Sequence, residues 1–402
     1  MTQSDPSESA KGEKRALPKR DWIMLPAIGV LTIVVVFGTA EFVARQLFYP
    51  AQTDMRNCLV LDPETGMRGV PNTTCWDKTF ETLLTEYKFN NCGDRAGMEC
   101  GPKPKGVYRI VMSGASAAFG LRVEREKTFA ALLGAKLSEA TGGTVELYNQ
   151  SVFAHATDWG DRRVVSQRLD KIVSAQPDLI MVVLTQQDIR TADQLLPPGP
   201  EGKSLSLRGW ARIKSKLGAD SLKELPADIM NESRALFMLR HYLYESQSQY
   251  VKAWLMEGDT NGYLRANFSD FWLKNLGLFD LYAAQVEERA KAAGAQFVVV
   301  LVPDRAQATI VSMGEWPAGY DPYQLGDQLR AITTRHGGVF VDILPGFHDV
   351  PHPERHYYPI DGHPDPEGSA IISRLLFKEL TNGSIPALTA AGQAQPGFEK
   401  GK

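Results

Sequence analysis

The sequence predicts an α/β protein, a three-layer α/β/α sandwich around a five-stranded parallel sheet. Uninterrupted apolar runs at Asp178–Leu184 and Gln296–Val302 are typical of strands that are covered on both faces. Segments with apolar residues at helical spacing separate these runs from three shorter strand candidates. Strands that alternate with helices imply right-handed parallel crossovers, and therefore helices on both faces of the sheet.

The first element along the chain is a long apolar segment near the N-terminus. Residues 1–21 are polar and carry five basic residues, and Trp22 to Ala40 then run nineteen residues without a charge. That length approaches the ~30 Å thickness of the hydrocarbon core. We predict a transmembrane anchor over residues 22–48, with residues 1–21 in the cytoplasm and the rest exported. A cleaved signal peptide is the alternative, because Gly38-Thr39-Ala40 has the small residues of a cleavage site.

Residues 49–105 follow as a neck, in which several Pro and Gly residues predict little regular structure. All four cysteines of the chain lie here: Cys58, Cys75, Cys92 and Cys100. An even, clustered set in an exported segment predicts two disulfides, and three pairings remain open. A zinc site is the alternative, but the spacings contain no C-x-x-C pair.

Residues 106–380 carry the alternating pattern of the main domain. The predicted strands are Tyr108–Ser113, Val145–Tyr148, Asp178–Leu184, Gln296–Val302 and Val339–Leu344. The predicted helices are Glu126–Ala140, Asp161–Val173, about 279–293, about 323–335 and Glu367–Leu380. An insertion at about 190–280 reads as mostly helical, and its aromatic residues form either a small core or a sugar-binding platform. Residues 381–402, rich in Gly, Ala, Pro and Gln, predict a disordered tail.

Composition excludes some partners. The net charge of −3, with no basic run beyond the N-terminus, predicts no nucleic-acid partner. His348, His352 and His356 cluster with Asp349 and Glu354, which raises the possibility of a metal site. Their irregular spacing on a Pro-containing loop argues against it, so we expect no metal and no other cofactor.

Three residues with complementary chemistry follow the first and last predicted strands. Ser116 comes directly after the first strand, whereas Asp361 and His363 come after the fifth. Because the carboxyl ends of parallel strands meet at one edge of a sheet, we expect these side chains to lie together. A hydroxyl with an Asp/His pair is the equipment of a serine nucleophile and its base.

Further polar residues follow the other strands. Asp304 and Arg305 come after the fourth strand and His155 follows the second, and all three are candidate substrate-binding residues. The alternatives are a surface ion pair for Asp304 and Arg305 and a structural role for His155.

Two segments resemble conserved blocks of the SGNH/GDSL hydrolase superfamily. The first is Arg109–Gly120, followed by Glu124–Phe129, and the second is Asp361–Gly368. The layout of one span, an irregular neck and a catalytic domain is similar to that of membrane-anchored bacterial members, including relatives of the AlgX/AlgJ polysaccharide O-acetyltransferases. The resemblance implies an SGNH/flavodoxin-like sandwich.

The resemblance also implies roles for individual residues. Ser116 matches the nucleophile, His363 the general base and Asp361 the carboxylate that orients the imidazole. The oxyanion hole would combine the Ser116 amide with a Ser151 amide and the Gln187 side chain. Ser151 stands where the family has Gly and Gln187 where it has Asn. A third departure is Ala115, which replaces the Asp of the Gly-Asp-Ser triplet.

Together these observations predict a membrane-anchored, exported serine esterase or O-acyltransferase that acts on a carbohydrate or another acylated envelope component. Its expected location is the bacterial inner membrane, with a single pass held in lipid by residues 22–48 and the main domain in the periplasm. The alternative is a catalytically degenerate SGNH-fold subunit of a membrane or envelope complex.

Overall fold

The computed structural model describes residues 20–47, 58–62, 66–152, 162–191, 233–255 and 258–389. The chain divides into two units, residues 1–49 with 222–239 and residues 50–221 with 240–402. The smaller unit contains the apolar N-terminal segment, and the larger one contains the neck and the α/β domain.

In the smaller unit, α1 spans Asp21–Leu47 with exposed apolar side chains. Among the described residues it is the one helix long and apolar enough to cross a membrane, a property that anchors and signal sequences share. The Glu41 carboxylate accepts hydrogen bonds from Ser233 Oγ and from the Ala235 amide, at 2.8 and 3.0 Å. Glu41 therefore binds the free amides at the start of a second helix, which begins at Arg234.

The neck is more regular than the sequence predicts. It forms two antiparallel pairs, β1 (Leu59–Asp62) with β2 (Gly66–Gly69) and β3 (Thr74–Asp77) with β4 (Thr85–Lys88). Four-residue strands are too short to show a period of two in the sequence, which explains why they were missed.

The four cysteines form two disulfides in the larger unit, as predicted. Cys58 is bonded to Cys75 and Cys92 to Cys100, with Cα–Cα distances of 6.2 and 5.9 Å. Cys58 and Cys75 are buried with Tyr87 and Phe119, so the neck packs on the first turn of the α/β domain through a small apolar cluster.

The predicted fold class is confirmed, because five strands form one parallel sheet in the order β6-β5-β7-β8-β9. The strands are β5 (Val107–Gly114), β6 (Thr144–Asn149), β7 (Leu179–Leu184), β8 (Gln296–Leu301) and β9 (Val339–Asp342). The central β7 is buried at every position, as its apolar run predicts. The chain places β6 on one side of β5 and β7 on the other, so the strand order reverses there. In open α/β sheets, ligands bind at the carboxyl ends of the strands beside such a reversal.

Helices cover both faces of the sheet. They are α2 (Ser116–Phe119), α3 (Phe129–Thr141), α4 (Arg162–Ser174), α5 (Gln186–Arg190), α6 (Arg234–Tyr244), α7 (Gln247–Leu255), α8 (Asp270–Ala293), α9 (Arg305–Met313), α10 (Gln324–Arg335) and α11 (Pro366–Leu380). Buried residues of α3 and α11 share one apolar cluster with the sheet, and those of α4, α8 and α10 share another.

Three expectations change in detail. Helix α8 begins nine residues before the predicted start at about 279, because Trp272 and Leu276 extend its buried face. Helix α9 was not predicted. Its apolar residues are divided between the apolar clusters on the two faces of the sheet, so they do not form one continuous apolar face. The prediction of disorder from residue 381 is wrong for the first part of the tail, because Ile385 and Leu388 are fully buried; residues 390–402 lie outside the described residues. Most of the predicted insertion, residues 192–232, also lies outside it.

Candidate functional site

A close backbone approach places Ser116 at the edge of the sheet. Gly114, the last residue of β5, pairs with Val183 of β7. A Cβ atom on Gly114 would lie 2.5 Å from the Val183 carbonyl oxygen and 2.6 Å from Ala118 Cβ. Only glycine fits this position. Two residues later the chain enters α2, of which Ser116 is the first residue.

Replacing Gly114 with Ala is expected to lower the free energy of unfolding by about 1–3 kcal/mol, because the added methyl group has no space. Chemical denaturation of the full chain measures the change. The matched control is Gly277→Ala, since Gly277 is an exposed residue of α8 where an added Cβ would meet nothing within 4 Å. That variant should be neutral or slightly more stable. Equal stability of the two variants would contradict the close approach.

Asp361 and His363 lie on a tight loop before α11. The loop is closed by hydrogen bonds from the Tyr358 amide to the His363 carbonyl, 2.9 Å, and from the Gly362 amide to the Tyr358 carbonyl, 2.8 Å. Gly362 adopts a left-handed conformation with φ of 81°. Asp365 then caps α11 by accepting from the Gly368 amide. This short turn places the carboxylate and the imidazole side by side.

The structure brings Ser116, His363 and Asp361 into one hydrogen-bonded chain. His363 Nε2 lies 2.7 Å from Ser116 Oγ, and His363 Nδ1 lies 2.6 Å from Asp361 Oδ1. An ionised carboxylate can only accept, so Nδ1 carries the proton in the neutral imidazole and Nε2 is free to accept from the hydroxyl. This is the arrangement in which a histidine can take a proton from a serine.

The electrostatic surroundings keep Asp361 ionised. Burial opposes the charge, but the hydrogen bond from His363 and the charges of His363 and Arg122 outweigh it and lower the pKa of Asp361 to about 2. Arg122 Nε lies 3.3 Å from Asp361 Oδ2, and the same guanidinium also pairs with Asp77 of β3. The loop itself is held by Glu81, which accepts from the Asp361 amide at 2.8 Å.

This pKa predicts a pH-dependent contribution to stability. The pKa of Asp361 is about 2 in the fold against an ordinary 3.8, so its stabilising effect is present above pH 4 and is lost as the pH falls towards 2. The full effect is about 2 kcal/mol, and about 1 kcal/mol of it is gone at pH 3. The stability difference between the wild type and Asp361→Asn should therefore shrink by about 1 kcal/mol from pH 6 to pH 3 in denaturation experiments. A difference that is constant or grows with acid would show that the carboxylate is not held in its charged form; the exposed Asp349→Asn is the control.

A cavity of about 420 Å³ opens beside the three residues. Ser116 and His363 lie at its wall, and Tyr244, Tyr250 and Trp254 of α6 and α7 line it further out. The rings of Tyr244 and Tyr250 meet edge to face, with centroids 5.7 Å apart. The cavity thus places aromatic side chains beside the Ser116 hydroxyl.

Gln187 and Ser151 are the two further residues predicted to bind the oxyanion, and only Gln187 lines this cavity. Gln187 lines it, and its Oε1 accepts a long hydrogen bond from Arg190, 3.4 Å. Ser151 lines a separate cavity of about 20 Å³, and its amide already donates to Asn149 Oδ1 at 2.9 Å. The Ser151 donor is therefore occupied, contrary to the role that the resemblance implies.

The candidate substrate-binding residues are held by the protein itself. Arg305 is fully buried and donates to the carbonyls of Glu354 and Pro359, at 2.9 and 2.7 Å, and to that of Tyr244. Asp304 caps α9 by accepting from the Gln307 amide, and it also accepts from the hydroxyl of the buried Tyr263. Neither forms the surface ion pair considered as an alternative; both support the wall of the cavity.

Two further predictions concern His155 and a metal site. His155 lies outside the described residues. Within the described ranges, no group of three or more His, Cys, Asp or Glu side chains is arranged to hold a metal ion. Sequence reasoning missed Asp77, Glu81 and Arg122, and no motif marks them. Glu81 and Arg122 contact Asp361 from more than 200 positions away along the chain, and Asp77 pairs with Arg122.

Comparison with known proteins yields structural likenesses only. No family model matches the chain, and no curated protein sequence does. The structure of TesA is 13% identical, with 69% of this chain and 99% of that chain covered and a TM-score of 0.35. The psychrotrophic esterase EstA from Pseudoalteromonas sp. is 9% identical, with 68% and 96% covered and a TM-score of 0.32. The lipase/acylhydrolase from Enterococcus faecalis is 12% identical, with 68% and 95% covered and a TM-score of 0.33. These values establish no common activity.

Proposed function

We propose that the protein is a serine esterase or O-acyltransferase of the SGNH/GDSL type. The observation that carries the proposal is the contact between Ser116 Oγ and His363 Nε2, 2.7 Å, with Asp361 bonded to the other ring nitrogen. These residues are separated by 247 positions in the chain, so their convergence is a property of the fold. A serine hydroxyl is a poor nucleophile without such a base.

The proposed reaction has two halves. In the first, Ser116 Oγ attacks the ester carbonyl while His363 Nε2 takes the hydroxyl proton. The oxyanion is held by the Ser116 amide and the Gln187 side-chain amide. His363 then gives the proton to the departing alkoxide, which leaves an acyl-Ser116. In the second half, water or a sugar hydroxyl loses a proton to His363 and attacks the acyl group. The bond to Ser116 Oγ then breaks, and His363 returns the proton to that oxygen.

The surroundings of Ser116 support a carbohydrate ester or another acylated envelope component as substrate. The half-buried ring of Trp254 lines the cavity, and aromatic rings of this kind stack on sugar rings. The wall of the cavity also contains an unused acceptor. Gln186, which is 8% exposed, has a buried Oε1 with no hydrogen-bond partner in the described structure. A substrate hydroxyl would pair with this oxygen once the Gln186 side chain turns towards the cavity, and the pair would remove the penalty of an unpaired buried acceptor.

The proposed location is the outer face of the bacterial inner membrane. Helix α1 would cross the bilayer with its basic flank in the cytoplasm. Two disulfides in the neck support an exported domain, since disulfides are rare in the reducing cytosol.

A second candidate is a subunit that keeps this fold without catalysis. It is favoured by the oxyanion region, where the Ser151 amide is occupied by Asn149 and a longer glutamine stands at position 187. Loss of one oxyanion donor costs about 100- to 1000-fold in rate.

Labelling and turnover together separate the two candidates. The detergent-solubilised full chain is incubated with a fluorophosphonate probe and, separately, with 4-nitrophenyl acetate. The enzyme proposal expects the probe on Ser116, identified by peptide mass spectrometry, and ester turnover that the probe blocks. An unlabelled Ser116 and no turnover, together with stable co-purification of other membrane proteins, would establish the non-catalytic subunit instead. An unacetylated oligosaccharide, added as acceptor, distinguishes transfer from hydrolysis, because only transfer places the acetyl group on its hydroxyls.

A further inference from the structure

A chain of charges leads from the neck to the three residues of the site. Asp77, on β3, pairs with the guanidinium of Arg122, whose Nε lies 3.3 Å from Asp361 Oδ2. The side chains of Asp77, Arg122 and Asp361 are 10%, 17% and 20% exposed. Charges this far from solvent are weakly screened, so each affects its neighbours more than a surface ion pair does.

The backbone of Arg122 is fixed on two sides. Its φ is 67°, a left-handed conformation that is uncommon for a residue with a side chain. Its amide donates to the Tyr87 hydroxyl of β4 at 2.8 Å, and its carbonyl accepts from the Tyr358 hydroxyl of the Asp361 loop at 3.0 Å. Such a conformation persists only where the surroundings determine it, and here they hold the guanidinium between the neck and the loop.

The neck supplies a second carboxylate to the same loop. Glu81 accepts from the amides of Ile360 and Asp361, at 2.9 and 2.8 Å, and its side chain is 3% exposed. Asp77 itself is two residues from Cys75, whose disulfide to Cys58 ties β3 to the start of the neck. The neck therefore contacts the Asp361 loop through both side-chain charge and backbone hydrogen bonds.

We propose that Asp77 and Arg122 are positioning residues that set the net charge around the Asp361–His363 pair. Through Asp77, the disulfide-bonded neck contributes to catalysis. The inference rests on the proposed function. The charged and titratable groups that face the pair are Asp77, Glu81, Tyr87, Arg122, Asp188 and Tyr358. Of these, Arg122 is the cation in direct contact with Asp361, and Asp77 is the carboxylate paired with that cation.

Changes at the two positions should move the pH profile in opposite directions. The reaction needs a neutral His363, so kcat/KM rises with pH along an acid limb. Arg122→Gln removes the cation that shares the Asp361 carboxylate. The carboxylate then stabilises the imidazolium of His363 more strongly, and the acid limb moves to higher pH. Asp77→Asn leaves the Arg122 charge uncompensated, which disfavours the imidazolium and moves the limb to lower pH. We expect about 0.5–1 pH unit each way, with the double variant close to the wild type.

The experiment is the kcat/KM profile for 4-nitrophenyl acetate from pH 4.5 to 8.5. It uses the detergent-solubilised full chain as wild type, Arg122→Gln, Asp77→Asn and the double variant. Arg330→Gln is the matched control, because Arg330 also pairs with a carboxylate, Asp342, at 2.7 Å on the surface away from the cavity. Its profile should coincide with that of the wild type.

Opposite shifts of the two single variants support the inference, because a merely structural role would lower activity without moving the limb in two directions. Shifts in the same direction, or unmoved limbs, overturn it. If Arg122→Gln does not fold, Asp77→Asn decides alone: its limb must move to lower pH. A wild type that does not turn over the ester at Ser116 is a different outcome, which refutes the proposed function on which the inference depends.

Discussion

Replacement of Ser116 by alanine is expected to reduce ester turnover at least about 1000-fold. The methyl group cannot form the acyl bond, and His363 then has no hydroxyl within reach of Nε2. Stability should change little, since Ser116 is only the first residue of a four-residue helix and its hydroxyl bonds to no other group in the described structure than His363. Steady-state kinetics with 4-nitrophenyl acetate measures the loss.

Ser174→Ala is the matched control. Ser174 is an exposed serine at the end of α4 whose hydroxyl donates to the Lys171 carbonyl at 2.7 Å. Its removal should leave turnover and probe labelling unchanged. Equal turnover by Ser116→Ala and the wild type would mean that the esterase activity arises elsewhere, and the proposed nucleophile would be wrong.

Asp361→Asn is expected to lower kcat by about 1000- to 10,000-fold, even though the two side chains have the same shape. Arg122 Nε donates towards one oxygen of Asp361 and His363 Nδ1 bonds to the other. An asparagine has a single oxygen, and the permanently charged guanidinium competes for it. The amide NH₂ then faces His363 Nδ1, which must accept, so the imidazole proton moves to Nε2. In that tautomer Nε2 cannot take the Ser116 proton.

This mechanism makes a second, sharper expectation. In the double variant Asp361→Asn with Arg122→Gln, the competition for the amide oxygen is removed, and kcat should partly recover relative to Asp361→Asn alone. Asp349→Asn, an exposed carboxylate in the preceding segment, is the control and should retain full activity. A kcat for Asp361→Asn within tenfold of the wild type would show that the carboxylate does not select the tautomer.

The main features of the fold could be predicted from the sequence because their signals are local. The apolar runs of β7 and β8 and the helical spacing in α3 and α10 are each contained in about a dozen residues. Topology then predicted that Ser116 and His363 meet, since parallel strands bring their following loops to one edge. The short neck strands and α9 carried no such periodic signal, and they were missed.

Individual hydrogen-bond partners could not be predicted in the same way. Ser151 follows β6 and Arg305 follows β8 as expected, yet the Ser151 amide is occupied by the nearby Asn149 and Arg305 by backbone carbonyls about 50 positions away. Each outcome depends on the exact direction and distance of the two groups in the folded chain. A sequence pattern contains no such distances.

The sequence by itself determined the α/β class, the apolar N-terminal helix, the even set of neck cysteines and the identity of the Ser116, Asp361 and His363 group. The tertiary structure alone decided the cysteine pairing, the burial of Arg305 and the contacts of Arg122 with Asp77 and Asp361. The physical reason is the separation along the chain of the residues involved. Burial patterns and turns depend on neighbouring residues. Electrostatic and hydrogen-bond partners form only when the folded chain brings distant segments into contact.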